Sequence, residues 1–263
     1  MIVKNILDTL EQFAPLPLQE GYDNAGLQCG VTDAEVSGVL LCLDVTETII
    51  EEAIQRGCNV VVSHHPLLFH GLKCISEADY ISRVVMKAIK AGIAIIAMHT
   101  NLDAVKGGVN YKIADKIGLD DLEPLGDVRL NNGRVVGSEG LIGTLIEPLA
   151  ADDWIKLIKE TFHVECLECN ELLRREIRKV AICGGAGSFL LDEAVEKKAD
   201  AFLTGEMKYH EFFGLEQVIQ ITVIGHYQSE MYTPELLSDI IVKAWPDCKC
   251  FVSETNTNPI LYF

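Results

Sequence analysis

The chain has 263 residues, 49% of them hydrophobic and 23% charged. That balance excludes disordered and fibrous classes and allows a substantial core. The formal net charge of -17 opposes non-specific binding to nucleic acid, which needs a positive surface. No apolar run approaches the roughly 20 residues of a membrane helix, and Met1-Ile2-Val3-Lys4-Asn5 does not open a signal peptide. A cytoplasmic protein without membrane contact is expected. Its nine cysteines, an odd number, are expected as free thiols.

Ile2, Ile6, Leu7, Leu10 and Phe13 recur at helical spacing, and Pro15 and Pro17 end that helix. Tyr22-Asp23-Asn24-Ala25-Gly26 is a polar turn. Residues 36–43 read as a strand, and Asp44 or Thr46 caps a helix that Gly57 stops. Val60-Val61-Val62 is a buried strand that breaks at Ser63-His64-His65-Pro66. Ile81, Val84, Val85, Ala88 and Ile89 mark a helix ending at Gly92. An apolar strand over 93–98 closes at His99-Thr100-Asn101-Leu102-Asp103, and a helix follows over 108–117.

Residues 124–134, polar and glycine-containing, read as a linker. Strands are expected over 137–146, 164–167, 180–183, 201–203 and 220–224, with helices around Trp154, Leu191, His210 and Leu236. Phe251-Val252 reads as a last strand. Repeated β-α-β order implies an α/β fold in two halves with largely parallel or mixed sheets. The expected division is a first α/β domain over 1–125 and a second over 126–263, whose C-terminal segment is free to pack back on the first.

Three apolar strands end in metal-ligand residue types. They supply His64 and His65, then His99 and Asp103, then His226 and Glu230. A helix over 226–230 would put His226 and Glu230 on one face. Adjacent histidines within a strand diverge, but just past a strand end they can splay toward neighbouring ions. Imidazoles mixed with carboxylates suit zinc, iron, manganese, cobalt or nickel better than calcium or magnesium. Paired ions in such sites lie roughly 3.5–4 Å apart and activate water. The competing reading, strand-end groups that satisfy the backbone, explains one histidine better than three converging strand ends.

Ser63-His64-His65-Pro66, His99-Thr100-Asn101-Leu102-Asp103, Thr204-Gly205-Glu206 and Gly225-His226-Tyr227-Gln228-Ser229-Glu230 resemble the motifs of the NIF-three-like proteins, also called GTP cyclohydrolase I type 2 homologues. Tyr22-Asp23-Asn24-Ala25-Gly26-Leu27 fits their amino-terminal motif. The resemblance implies two α/β domains with a dinuclear metal site in the cleft between them, in the compact form without an inserted middle domain. It also implies a homohexamer. By motif position, His64, Asp103 and Glu230 would hold one divalent ion, and His65, His226 and Glu230 the other.

Gly184-Gly185-Ala186-Gly187-Ser188, between a strand and a helix, lacks the Lys-Ser/Thr of a P-loop and the third glycine of a dinucleotide fingerprint. A tight packing turn is preferred to a phosphate cradle. Cys166/Cys169 and Cys248/Cys250 lie too far apart in sequence for a closed zinc site and read as bystander thiols. Arg174, Arg175, Arg178 and Lys179 read as a solvated face. Glu206 and His99 are the candidate catalytic groups, moving protons or orienting neighbours. His210, four residues after Glu206, reads with it as a group that supports the ligands or faces substrate, while His70 and His163 read as surface or packing positions. The expected function is a dinuclear metal-dependent hydrolase acting on a small molecule such as a nucleotide, with two divalent ions (zinc, iron or manganese) as cofactors. The alternatives are a metal carrier or adaptor without turnover, and a ring pinned by structural metals.

Overall fold

The structure, a computed structural model, describes residues 1–261. The chain forms two compact units, the first Met1–Leu102 with the chain from Tyr232 onward, the second Asp103–Met231. In order run α1 (Val3–Phe13), β1 (Gly26–Cys29), β2 (Val39–Cys42), α2 (Glu47–Arg56), β3 (Val60–Ser63), α3 (Tyr80–Ala91), β4 (Ala94–Ala97) and α4 (Thr100–Ala104). Then come α5 (Val109–Ile117), β5 (Leu119–Asn131), β6 (Arg134–Leu149), α6 (Ala151–Phe162), β7 (Glu168–Cys169), β8 (Ile177–Cys183), α7 (Leu191–Glu196), β9 (Ala201–Thr204) and β10 (Gln220–Val223). The last elements are α8 (His226–Glu230), α9 (Thr233–Ala244) and β11 (Cys250–Val252). No helix among the described residues is long and apolar enough to cross a membrane.

The first unit is built on a sheet ordered β1-β4-β3-β2-β11. All pairings are parallel except β1 with β4. β2, β3 and β4 are buried throughout, so both sheet faces are covered, as parallel sheets require. Side chains alternate between faces: Leu40, Cys42, Val61 and Ile95 pack with Ile49, Ile50 and Ala53 of α2 and with Val84, Val85 and Ala88 of α3. Packing of α9 on β2 and β3, and of α1 on α9, completes the unit. Of the two candidate caps, Thr46 accepts from Ile49 N at 3.3 Å, and Gly57 ends α2 in the left-handed conformation. Asp44 is used elsewhere.

The second unit carries the sheet β5-β6-β8-β9-β10-β7. Its β8-β9-β10 centre is parallel, and its flanking pairings are antiparallel. One face packs Ala181, Phe202 and Ile221 with Leu190, Leu191 and Ala194. On α6, Trp154 is fully buried and its indole N–H donates to Thr222 Oγ1 at 2.9 Å, which satisfies a buried hydroxyl.

Residues 124–134 are not a linker. Most of that span belongs to β5, which pairs with β6 in a long hairpin. Asn132 and Gly133 form the turn with φ of 50° and 75°. Asn-Gly supplies the two left-handed residues that a tight hairpin needs, which bare polarity does not signal. β5 lies at the sheet edge, where Pro124 costs no ladder bond in the sheet interior. The strand expected over 164–167 falls instead at Glu168–Cys169, and the edge strand β1 extends from what reads as a polar turn.

Glu52 on α2 ties down the chain after β11. Its carboxylate accepts from Ser253 Oγ at 2.6 Å, Thr255 Oγ1 at 2.7 Å, Glu254 N at 3.1 Å and Arg56 Nε at 2.9 Å. Burial acts to raise its pKa, but these donors outweigh burial and bring it from 4.5 to about 2. A carboxyl depressed on folding contributes stability above its unfolded pKa and loses it as pH falls toward its folded one. That contribution is therefore present at neutral pH and lost between about pH 5 and pH 2. Glu52→Gln is expected to cost about 2 kcal/mol at pH 7. Urea titrations across that range would show a shallower acid destabilisation than in the parent; an unchanged slope would contradict the assignment.

Candidate metal centre

The register of the first sheet brings its functional residues to one edge. Cys42 pairs with Ser63, and Ser63 with Ala97. The residues just beyond these partners, Asp44, His64, His65 and His99, therefore emerge together at the carboxyl ends of parallel strands. The backbone carries the pattern one step further, with His64 N donating to Cys42 O at 3.2 Å and His65 N to Leu43 O at 3.0 Å. Ser63 Oγ donates to His65 O at 2.8 Å, which fixes the turn before Pro66.

Each of the three imidazoles has its Nδ1 held. His64, fully buried, meets Met98 O at 2.9 Å. A carbonyl only accepts, so Nδ1 carries the proton and Nε2 the lone pair. His65 Nδ1 lies 2.7 Å from Asp44 Oδ1, and Asp44 Oδ2 accepts from Thr257 Oγ1 at 2.6 Å. Burial opposes ionisation of Asp44, but the hydrogen bonds from His65 and Thr257 prevail and hold its carboxyl below the ordinary value. His99 Nδ1 lies 2.7 Å from Asp23 Oδ1, while Asp23 Oδ2 accepts from Thr100 N at 3.0 Å and from the Thr100 hydroxyl. Burial again opposes ionisation of Asp23, and the His99 and Thr100 bonds overcome it, so its pKa falls to about 2. Both carboxylates are acceptors only, which puts all three histidines in the same tautomer. The ligand atoms of His64, His65 and His99 lie within 4.8 Å of one another.

Asp23 and Asp44 were not singled out as site residues by the sequence. Asp44 reads there as a helix cap and Asp23 as part of a turn. The available signal was position: Asp44 follows a parallel strand just as His64 does.

The second unit repeats the arrangement. Cys183 pairs with Thr204, and Thr204 with Val223, so the residues that follow, Gly184-Gly185, Gly205-Glu206 and, one residue further on, Gly225-His226, share one sheet edge. Gly205 N and Glu206 N both donate to Gly185 O at 2.9 Å, and Gly225 N donates to Gly205 O at 3.1 Å. The short helix α8 brings His226 Nε2 to 3.1 Å from Glu230 Oε2, as the four-residue spacing predicts. His226 Nδ1 lies 3.0 Å from Glu206 Oε1. Two ligands of one ion at bonds near 2.0–2.1 Å sit about 3 Å apart, so the His226–Glu230 separation suits shared coordination. Asp103 lies on α4, and Asn110 Nδ2 donates to its carbonyl at 3.3 Å. Burial pushes the Cys183 thiol far up, and the charges of Asp103 and Glu230 add to it, which marks Cys183 as an inert core thiol.

The glycine turn has a packing role. Gly184 N donates to Asn110 Oδ1 at 2.9 Å, Gly185 N to Ser229 Oγ at 2.9 Å, and Gly187 N to Thr204 Oγ1 at 3.1 Å. The amides that would cradle a phosphate are thus engaged within the chain. Gly185 has φ +58°, and a Cβ there would lie 2.3 Å from Glu230 Oε1. The turn is stripped of side chains so that the buried Glu230 carboxylate can occupy that space. His70 packs edge-on against Phe69, His210 against Tyr209, and His163 ends α6 in the left-handed conformation. All nine cysteines are free.

Fold and site together define a mixed α/β protein with histidine–carboxylate groups at the carboxyl ends of parallel strands. The chain belongs to the Duf34/NIF3 (NGG1p interacting factor 3) family, which it matches over residues 1–259. The GTP cyclohydrolase 1 type 2 homolog of Clostridium perfringens is 33% identical over 236 residues, covering 88% of this chain and 87% of that protein. The protein of that name in Clostridium acetobutylicum is 28% identical over 265 residues, covering 98% and 97%. A solved Bacillus cereus protein related to NIF3 has the same fold, with a TM-score of 0.89 at 24% identity over 100% of this chain and 99% of that one.

Gly185→Ala is expected to cost about 2 kcal/mol and to weaken metal retention, because it combines a left-handed backbone with displacement of Glu230. Gly133→Ala in the hairpin turn, with open space around its Cβ position, should cost about 1 kcal/mol and leave metal retention unchanged. Urea unfolding and elemental analysis on both proteins compare the two effects. Asp44→Asn is expected to weaken metal affinity about 10–100-fold with the fold intact. Competition against a chelator would measure it, and parental affinity would refute the orienting role.

Proposed function

We propose that this protein binds two divalent metal ions and uses them to hydrolyse a nucleotide-sized substrate. His64, Asp103 and Glu230 would hold one ion, and His65, His226 and Glu230 the other, with Glu230 shared. Zinc, iron and manganese suit this mixture of imidazole and carboxylate. The observation that carries the reading is the common tautomer of His64, His65 and His99, each held at Nδ1 by a carbonyl or carboxylate. Metal-binding histidines are held in that way, with the second nitrogen presented to the ion. The His226–Glu230 spacing supports it independently.

When bound, the ions supply Lewis acidity and a water acidic enough to lose its proton near neutral pH. The chain's own residues then manage the protons. His99, oriented by Asp23, accepts a proton at Nε2, and the ionised Asp23 stabilises the imidazolium that results. The His99 imidazolium then returns that proton to the leaving group, while Glu206 holds His226 through Oε1. The Glu206 side chain is 55% exposed, so it can reach a substrate. Relatives named for a GTP cyclohydrolase support a purine nucleotide as the substrate class and ring-opening hydrolysis as the reaction. A cytoplasmic homohexamer completes the proposal, on the strength of the family resemblance.

Elemental analysis of protein purified without added metal is expected to find about two ions per chain. His65→Ala with Glu230→Ala should abolish that content. Absence of divalent metal, with no uptake when it is offered, would overturn the reading. Metal-loaded protein is then screened against a panel of nucleotides and phosphoesters. Hydrolysis lost on Glu206→Gln supports the enzyme, whereas full metal loading without turnover on any substrate defeats the hydrolase and favours a metal carrier.

A further inference from the structure

Beside the histidines of the first unit stands an aromatic wall that the proposed chemistry does not use. Phe69 lies four residues after His65. Its ring centroid is 6.2 Å from that of His99 in an edge-on arrangement, and 5.0 Å from that of His70. Tyr22, one residue before the Asp23 that orients His99, has its ring 6.2 Å from Phe69 at 56°. Neither ring is spent in the core, since Phe69 is 37% and Tyr22 66% exposed.

Hydrogen bonds tie together the two segments that carry them. Asn24 Nδ2 donates to Leu68 O at 2.6 Å, and Leu68 N donates to Gln28 Oε1 at 3.1 Å. Gln28 Nε2 in turn donates to Asn24 O at 2.7 Å. The turn that orients His99 is therefore bonded directly to the loop that carries Phe69. Two adjoining partly exposed rings at the rim of a polar site are placed where a ligand could meet them.

We infer that Phe69, flanked by Tyr22, is a stacking platform for the planar heteroaromatic ring of the substrate. A ring sandwiched between two others needs about 7 Å between them, twice the contact distance of about 3.5 Å. The tilted pair is closer than that, so the incoming ring lies on the outer face of Phe69 rather than between the two. Stacking of this kind recognises any purine-like ring and leaves discrimination to the polar groups around it. The inference rests on the proposed nucleotide-directed activity for its biological sense, but the platform belongs to the first unit and is testable without metal.

The test is calorimetric titration of chelator-treated protein with guanosine monophosphate and, separately, with ribose 5-phosphate. The nucleotide is expected to bind at least tenfold more tightly than the sugar phosphate. Phe69→Ala should weaken the nucleotide tenfold or more, and Phe69→Tyr should restore it, with ribose 5-phosphate unchanged throughout. Equal nucleotide affinity in Phe69→Ala and parent, or no preference for the nucleotide, overturns the platform. Metal content of the same variants separates the two claims. Normal loading with no effect of Phe69→Ala refutes the platform alone; a Phe69-dependent affinity in protein that never takes up metal upholds the platform and refutes the metal reading.

Discussion

The chemistry of the first unit depends on one constraint, an acceptor fixed at the Nδ1 of each histidine. An imidazole with both nitrogens solvated turns about its bonds and exchanges tautomers. Here a buried carbonyl and two carboxylates remove that freedom from His64, His65 and His99. The acceptors are themselves fixed. Met98, just beyond β4, is held by its N–H to Ser63 O, Asp44 is braced by Thr257 from the tail beyond β11, and Asp23 is held by Thr100. The tail is in turn fastened by Glu52, so a carboxylate on α2 reaches the site through the backbone it secures. Positioning of this depth costs conformational entropy once, at folding, rather than at each binding event.

The second unit solves the same problem with glycine. Beyond its parallel strands come Gly184, Gly205 and Gly225, and the three turns bond to one another through Gly185 and Gly205 carbonyls. A Cβ at Gly205 would come within 2.7 Å of Gly185 O. Backbone can thus approach backbone closely enough to close the strand ends into one platform, and α8 sets His226 and Glu230 upon it. One unit uses side-chain acceptors to hold its histidines, and the other uses close main-chain contact to lodge a carboxylate.

Much of this was legible in the sequence, because the signals were local. Apolar β-branched runs broken by histidine gave β3 and β4, and the four-residue spacing gave the His226–Glu230 pair. What escaped was non-local. Asp44 belongs to His65 through strand register, and Asp23 belongs to His99 across 76 residues of chain. Residues 124–134 escaped for a different reason. Their polarity suggested a linker, yet Asn132-Gly133 is a hairpin signal and an edge strand tolerates polar residues on its open side.

The pattern of burial bears on what the proposed metal site could do. His64 is fully buried and the Glu230 side chain is 4% exposed, whereas the side chains of His65, His99 and His226 are 23%, 16% and 30% exposed. A structural site is closed on all sides by its ligands, while a catalytic one keeps a position open to solvent and substrate. Here one member of each half is sunk into the protein and the others stand at its surface, with Glu206 more exposed still. Sunken ligands anchor an ion, and surface ones leave it reachable. On the proposed two-ion reading that gradient argues against metals that merely pin the fold, and Glu206, the most exposed of these groups, stands where a reacting molecule would arrive.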